Sequence, residues 1–128
     1  MKELTKAEEQ VMQILWEIEK GVVADVIDRM PEPKPAYNTI STIIRILEKK
    51  EMVGHEAEGR SHIYHPIISK KQYAKGFLRR MVKGYFADSY REMVSFFSRN
   101  ENLDVQEMEE MMQILQQEIE NRKSKKND

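Results

Sequence analysis

Three prolines within five residues, Pro31, Pro33 and Pro35, set the scale of the first half of this chain. Proline lacks the amide donor and its ring clashes with the preceding turn, so a helix entering this stretch ends there. The first fifty residues must therefore be short elements and not one long helix. Thr5-Lys6-Ala7-Glu8 reads as a capping box, in which Thr5 accepts from the first-turn amides and Glu8 reaches back. Behind it Ala7, Val11, Ile14, Leu15 and Ile18 recur on one helical face, and Gly21 is the expected stop. Val23, Val26, Ile27 and Met30 form one side of a second short helix over Val22–Met30. The third helix starts near Pro35, which suits a first helical position. It runs to about Lys50, with Ile40, Ile43, Ile44 and Leu47 facing inward.

After Glu51 the pattern changes. Met52-Val53-Gly54-His55-Glu56-Ala57 and Ser61-His62-Ile63-Tyr64-His65 read as extended segments. Glu58-Gly59-Arg60 between them is a glycine-containing turn, so the pair should form a hairpin that Pro66 ends. Three short helices followed by a two-stranded hairpin is the layout of a winged helix-turn-helix, and the expected fold is mainly α. From Ser69 the helical pattern returns. A stretch rich in aromatics and methionine, from Phe86 to Phe97, is broken by Asn100-Glu101-Asn102. Asp104-Val105-Gln106-Glu107 is a second capping box, with Leu103 and Met108 placed as a hydrophobic staple. Val105, Met108, Met112, Leu115 and Ile119 then alternate steps of three and four, the seam of a helix that packs on another helix. The expected division is a winged-helix DNA-binding domain at 1–68 and a helical dimerisation region at 69–128.

Size and composition agree with an assembling protein. A unit of roughly 60 residues buries only about 60% of its unfolded surface, so a half-chain domain gains from forming a homodimer. The hydrophobic share of 40% is enough for a core. No apolar run approaches the roughly 20 residues of a membrane span. Met1-Lys2-Glu3-Leu4-Thr5 holds no apolar signal core, so the expected location is the cytoplasm, without stable membrane insertion. The absence of cysteine excludes disulfides, thiolate metal sites and a cysteine nucleophile. No Ser-His-Asp constellation, phosphate loop or zinc-ligand spacing is present. An enzyme is not expected, and neither catalytic residues, cofactor nor metal site is assigned.

Charge is informative only in its distribution. The net charge is −1, with nine basic against twelve acidic side chains in residues 1–66 and twelve against ten in 67–128. Any affinity for nucleic acid must come from local clustering. The outer face of the third helix supplies one: Asn38, Ser41, Thr42, Arg45 and Lys49 are short or basic, with no acid before Glu48. A helix fits the DNA major groove, where base edges present donor and acceptor patterns. Asn38, Ser41, Thr42 and Arg45 can reach bases, whereas Lys49 and Lys50 can hold phosphates, which set register. Arg60 at the hairpin tip can meet a flanking phosphate or the minor groove. The competing reading is a three-helix scaffold with a polar outer face, a protein-interaction module that reads no DNA. A third is a winged-helix repressor whose helical region senses a small ligand, for which the sequence offers no identifiable pocket.

Other features have simpler readings. His62 and His65, three apart on a strand, point to opposite faces, and with His55 they make a poor metal cluster. Glu109, Glu110, Glu118 and Glu120 suit a solvated helix face. Met108, Met111 and Met112 suit an adaptable interface, and Trp16 a core or hinge contact. Residues 70–86 carry Lys70, Lys71, Lys75, Arg79, Arg80 and Lys83 and no acid. This stretch can contact DNA flanks, lie on an anionic membrane surface, or form the solvated side of a dimerisation helix, which is the favoured reading.

Leu4-Thr5-Lys6-Ala7-Glu8, Ile14-Leu15-Trp16, Tyr37-Asn38-Thr39-Ile40-Ser41-Thr42 and Gly59-Arg60-Ser61-His62-Ile63-Tyr64 together resemble the penicillinase-repressor family (BlaI/MecI type) of winged-helix transcriptional repressors. The similarity covers about residues 2–72 well and the helical remainder more loosely. It implies a bacterial homodimeric repressor that occupies double-stranded operator DNA with TACA/TGTA-type inverted repeats. Thr39 and Thr42 match the family's paired threonines in the helix that reads DNA. This chain has Ile46 where the family commonly has an arginine, with Arg45 one residue earlier, and Glu51 where the family has a glycine. The family also implies release by a membrane sensor protease pathway that cuts an Asn-Phe bond in the dimerisation region. The matching stretch here, Met93-Val94-Ser95-Phe96-Phe97-Ser98, has no Asn before either Phe, so Ser95, Phe96 and Phe97 mark the expected cleavage region. Some relatives sense copper through C-terminal cysteines, which this chain lacks.

Overall fold

Thr5 caps the first helix in both directions: its Oγ1 accepts from the Glu8 amide at 3.2 Å, and Glu8 Oε1 accepts from the Thr5 amide at 2.9 Å. A computed structural model of the chain describes residues 3–127. The elements are α1 (Lys6–Ile18), α2 (Val23–Asp28), α3 (Tyr37–Lys49), β1 (Val53–Glu58), β2 (Ser61–Pro66), α4 (Lys70–Tyr85), α5 (Tyr90–Asn100) and α6 (Val105–Asn127). They fall into two compact units, Met1–Arg80 and Met81–Asp128.

In the first unit α1, α2 and α3 pack on one another, and the antiparallel hairpin β1–β2 closes their open side. This is a mainly helical winged helix. The inward positions read from spacing form its core: Val11, Met12, Leu15, Val26, Ile44 and Leu47 are sealed from solvent. Val53 and Tyr64 join them from the wing. The strands pair from Val53↔Pro66 to Glu58↔Ser61, leaving Gly59 and Arg60 as a two-residue turn. Gly59 takes φ +63°, the positive value a hairpin turn of this kind requires at its first central residue.

Gly21 does more than stop a helix. α1 already ends at Ile18, with Glu19 turned to φ +73°. Gly21 then donates to the Tyr64 carbonyl at 2.9 Å and accepts from the Tyr64 amide at 2.8 Å, which pins the wing to the α1–α2 connection. A Cβ there would lie 2.9 Å from both Asp25 Oδ2 and Ile18 Cδ1. After α2, Lys34 Nζ donates to the carbonyls of Asp28 at 2.9 Å and Met30 at 2.8 Å. It thereby satisfies acceptors that a helix end leaves without partners. Glu51, standing where a glycine would be at ease, holds φ +63° between α3 and β1.

The first half of α4 belongs to this unit because Trp16 holds it. The indole Nε1–H donates to the Ile68 carbonyl at 2.9 Å, and its ring lies 5.7 Å from that of buried Tyr73. The sequence pattern put a boundary at 68/69, where the hairpin ends; the compact units divide after Arg80. In the second unit Ala87 (φ +50°) and Asp88 (φ +63°) turn the chain, and Ser89 Oγ caps α5 by accepting from the Glu92 amide at 3.1 Å. Asp104 Oδ1 likewise accepts from the Glu107 amide at 2.8 Å at the start of α6.

One ion pair ties the two ends of the helical body together. Glu8, 3% exposed, receives Lys50 Nζ on both carboxylate oxygens, at 2.7 and 2.8 Å. Burial pushes the Glu8 carboxyl up, but the bonds from Lys50 and Thr5 outweigh it and leave it below the usual carboxylate range. A depressed carboxylate stabilises the fold above its unfolded value and ceases to do so as pH falls through the folded one. Stability of the wild type should therefore drop on acidification below about pH 4, and Glu8→Gln should flatten that part of the profile in urea titrations. Lys50→Met, which strands the buried carboxylate, should cost about 2 kcal/mol at neutral pH.

Candidate nucleic-acid interface

α3 lies across the unit with one face in the core and the other outward. Ile40, Ile44 and Leu47 are buried, and Asn38, Thr39, Thr42, Arg45 and Lys49 are exposed. Thr42 Oγ1 donates to the Asn38 carbonyl at 2.8 Å, which orients the hydroxyl and leaves its lone pairs free to accept. Ser41, at 9% exposure, sits at the margin of the core. It lines a cleft of about 410 Å³ between the start of α2, α3 and the wing. Asn38 and Arg45 of α3 and Arg60 of the wing line the same cleft, so two guanidinium groups from separate elements serve one concavity. Neither is in an ion pair among the described residues. Thr39 and Lys49 are exposed on α3 outside the cleft lining.

Two residues depart from the sequence expectation. Lys50, read as a phosphate anchor, is turned back onto Glu8 and also donates to the Glu3 carbonyl at 3.3 Å. Its ammonium is thus spent within the fold. Tyr37, the first residue of α3, is 59% exposed and lines the cleft, although spacing gave no reason to select it. Its aromatic character on an otherwise polar face was the available signal. Tyr64 has its hydroxyl pushed up by burial first and by the Glu48 charge second, with Arg45 opposing. Strand alternation puts His55 and His62 on the face of Tyr64, and His65 on the other face, where its ring lies close over Gly54. No group of three His, Asp or Glu side chains able to hold a metal ion occurs among the described residues.

The second unit has a different surface. Val105, Met112, Leu115 and Ile119 are 69%, 68%, 59% and 45% exposed on α6, and Met108 is half-buried. Met108, Met112 and Leu115 join Val94 and Phe97 of α5 in lining an apolar groove of about 440 Å³, while Val105 and Ile119 stand outside its lining. Ser95, Phe96 and Phe97 lie within α5. Phe96 is exposed, and Ser95 and Phe97 are half-buried. The Phe96 carbonyl accepts from Asn100 Nδ2 at 2.7 Å, and the Ser95 carbonyl from Ser98 Oγ at 3.0 Å. No described helix is long and apolar enough to cross a membrane.

The sequence profile of a family described as penicillinase repressor matches residues 4–117. The penicillinase repressor of Bacillus licheniformis is 27% identical over 116 residues, spanning 90% of this chain and 91% of that protein. The penicillinase repressor of Staphylococcus aureus is 31% identical over 119 residues, spanning 88% and 90%. Among solved structures, the DNA binding domain of the repressor BlaI is 30% identical, covering 57% of this chain and 94% of that one at a TM-score of 0.49.

Proposed function

The chain belongs to the penicillinase repressor family, a family of DNA-binding transcriptional repressors, and we propose that it acts as a homodimer on an inverted-repeat operator. The observation that carries this reading is the single cleft shared by Asn38 and Arg45 of α3 and Arg60 of the wing. α3 enters the major groove, where Asn38, Thr42 and Arg45 read base edges and Thr39 packs beside them. Ser41, recessed at the cleft wall, touches only a partner that fills the cleft. Lys49 and Arg60 hold phosphates to either side. The dimer places two such units on the two half-sites, since the symmetry of the protein is mirrored in its operator. Occupying the operator blocks the promoter.

The exposed seam of α6 supports the homodimer. A lone helix with Val105, Met112, Leu115 and Ile119 in water leaves apolar area that a second copy would cover. Release follows from losing that partner. We place any inducing cut by a membrane sensor protease pathway between Val94 and Asn100, at a Phe. Because that stretch is helical, a protease reaches it only after α5 opens locally. Mass spectrometry of protein from induced cells of the native host should show an N-terminal fragment ending there. An intact chain with target genes switched on would favour release by a small ligand instead. The cleft of about 640 Å³ lined by Tyr85, Phe86, Phe96 and Arg99 in the second unit is the place to look for one.

Base readers and phosphate anchors separate in a binding assay. Thr42→Ala or Arg45→Ala should relax sequence choice at a cost of about 1–3 kcal/mol per lost base contact. Lys49→Ala or Arg60→Ala should weaken all DNA evenly and reduce the salt slope by about one per phosphate contact per protomer. An Arg45→Ala variant with unchanged affinity and preference would remove α3 from its role and leave the interaction-module reading. Leu115→Asp should separate the protomers in light scattering at micromolar concentration, because the seam would have to desolvate a carboxylate. Operator binding should fall with it.

A further inference from the structure

The inner face of the wing carries an imidazole pair that base reading and phosphate anchoring leave unexplained. His55 on β1 and His62 on β2 stack face to face, with centroids 4.3 Å apart and planes inclined by 9°. Both meet the Tyr64 ring edge-on, at 5.8 and 6.2 Å. His55 Nδ1 lies 2.5 Å from Glu48 Oε2, so the stack is tied across to α3. His62 lines the cleft that also holds Arg45 and Arg60. We propose that Glu48, His55 and His62 form a positioning element that fixes the wing against α3 and takes up a proton when DNA phosphate enters the cleft.

The argument starts from Glu48, the one acid in α3. A carboxylate beside the path of a phosphate repels it, and an imidazolium bonded to that carboxylate leaves the pair neutral. The charged and titratable groups facing the stack are Glu48, Arg45 and Tyr37 from α3 and Tyr64 from β2. Glu48 favours the imidazolium and Arg45 opposes it. An arriving phosphate adds negative charge and tips the balance toward the imidazolium. Two stacked rings 4.3 Å apart do not share two positive charges cheaply, so each wing takes up one proton. Binding that takes up a proton strengthens as pH falls. The bond from His55 to Glu48 also sets the angle of the wing, and hence the separation of Arg60 from Arg45.

This inference rests on the DNA-binding reading above, and the test keeps the two apart. The full-length protein is titrated by fluorescence anisotropy, at constant ionic strength, against a duplex carrying a TACA/TGTA inverted repeat and a scrambled duplex of equal length. The pH runs from about 8 to about 6, where histidine changes charge. Wild-type affinity for both duplexes should rise by about tenfold across that range, each proton giving at most about tenfold per pH unit. His55→Phe keeps an aromatic ring in the stack and loses the bond to Glu48. It should give a flat profile at or below the wild-type value of the alkaline end. Glu48→Gln removes the repelling charge and should be flat near the wild-type value of the acidic end. Thermal melting reports whether each variant is folded, and Glu48→Gln decides the matter if His55→Phe is not. A flat wild-type profile, or variants that lower affinity equally at every pH with the slope intact, would overturn the proposal. Failure of the wild type to bind either duplex at any pH would overturn the DNA reading itself.

Discussion

The two backbone hydrogen bonds between Gly21 and Tyr64 fix where the wing stands relative to the helical body. Everything assigned to the cleft depends on them. β2 is short, and its turn at Gly59-Arg60 projects beyond the core, so the hairpin needs an anchor at its base. The Tyr64 side chain supplies the second part of that anchor by burying its ring in the core while its backbone pairs with Gly21. A side chain at position 21 would meet Asp25, whose Oδ2 caps α2 by accepting from the Val22 amide at 2.9 Å. One residue without a side chain thus lets the wing, the start of α2 and the end of α1 converge. The convergence sets the distance between Arg60 and Arg45.

Electrostatics explain how a chain with more acids than bases in its first 66 residues can present a face to a polyanion. Two acids near α3 are neutralised locally. Lys50 closes on buried Glu8 at one end of the helix, and His55 meets Glu48 beside the wing. The bases left unpaired are the ones on the cleft, Arg45 and Arg60, with Lys49 on the adjacent turn. Net charge is therefore a poor guide here; the sorting of paired from unpaired charge carries the information.

The helical spacing of Val11, Ile14, Leu15, Ile40, Ile44 and Leu47, the two-residue turn at Gly59 and the cap at Thr5 were legible because each depends on neighbours within a few positions. The exposed face of α3 was legible for the same reason. What the sequence did not disclose is long-range. Lys50 and Glu8 are 42 residues apart, and nothing local distinguishes Lys50 from Lys49, which points outward. The Gly21–Tyr64 bridge and the Trp16–Ile68 bond likewise join positions that only the assembled fold brings together. Ser41 shows the limit of a helical wheel. It falls between the faces, and α2 and the wing, not its periodicity, decide its burial.

The second unit completes the proposed mechanism through what it leaves open. A 23-residue helix with half of its apolar seam in water is poorly stabilised by propensity alone, since most helical stability in proteins comes from packing an apolar face. Covering that face by a second copy would stabilise α6 and join two reading units in the same event. Each unit alone offers few contacts, so the pairing converts the second half-site contact into an intramolecular one at high effective concentration. Affinity for the operator would then be set by a surface that never touches DNA. That arrangement explains why loss of α5–α6 integrity can switch the protein off without altering a single residue of the cleft.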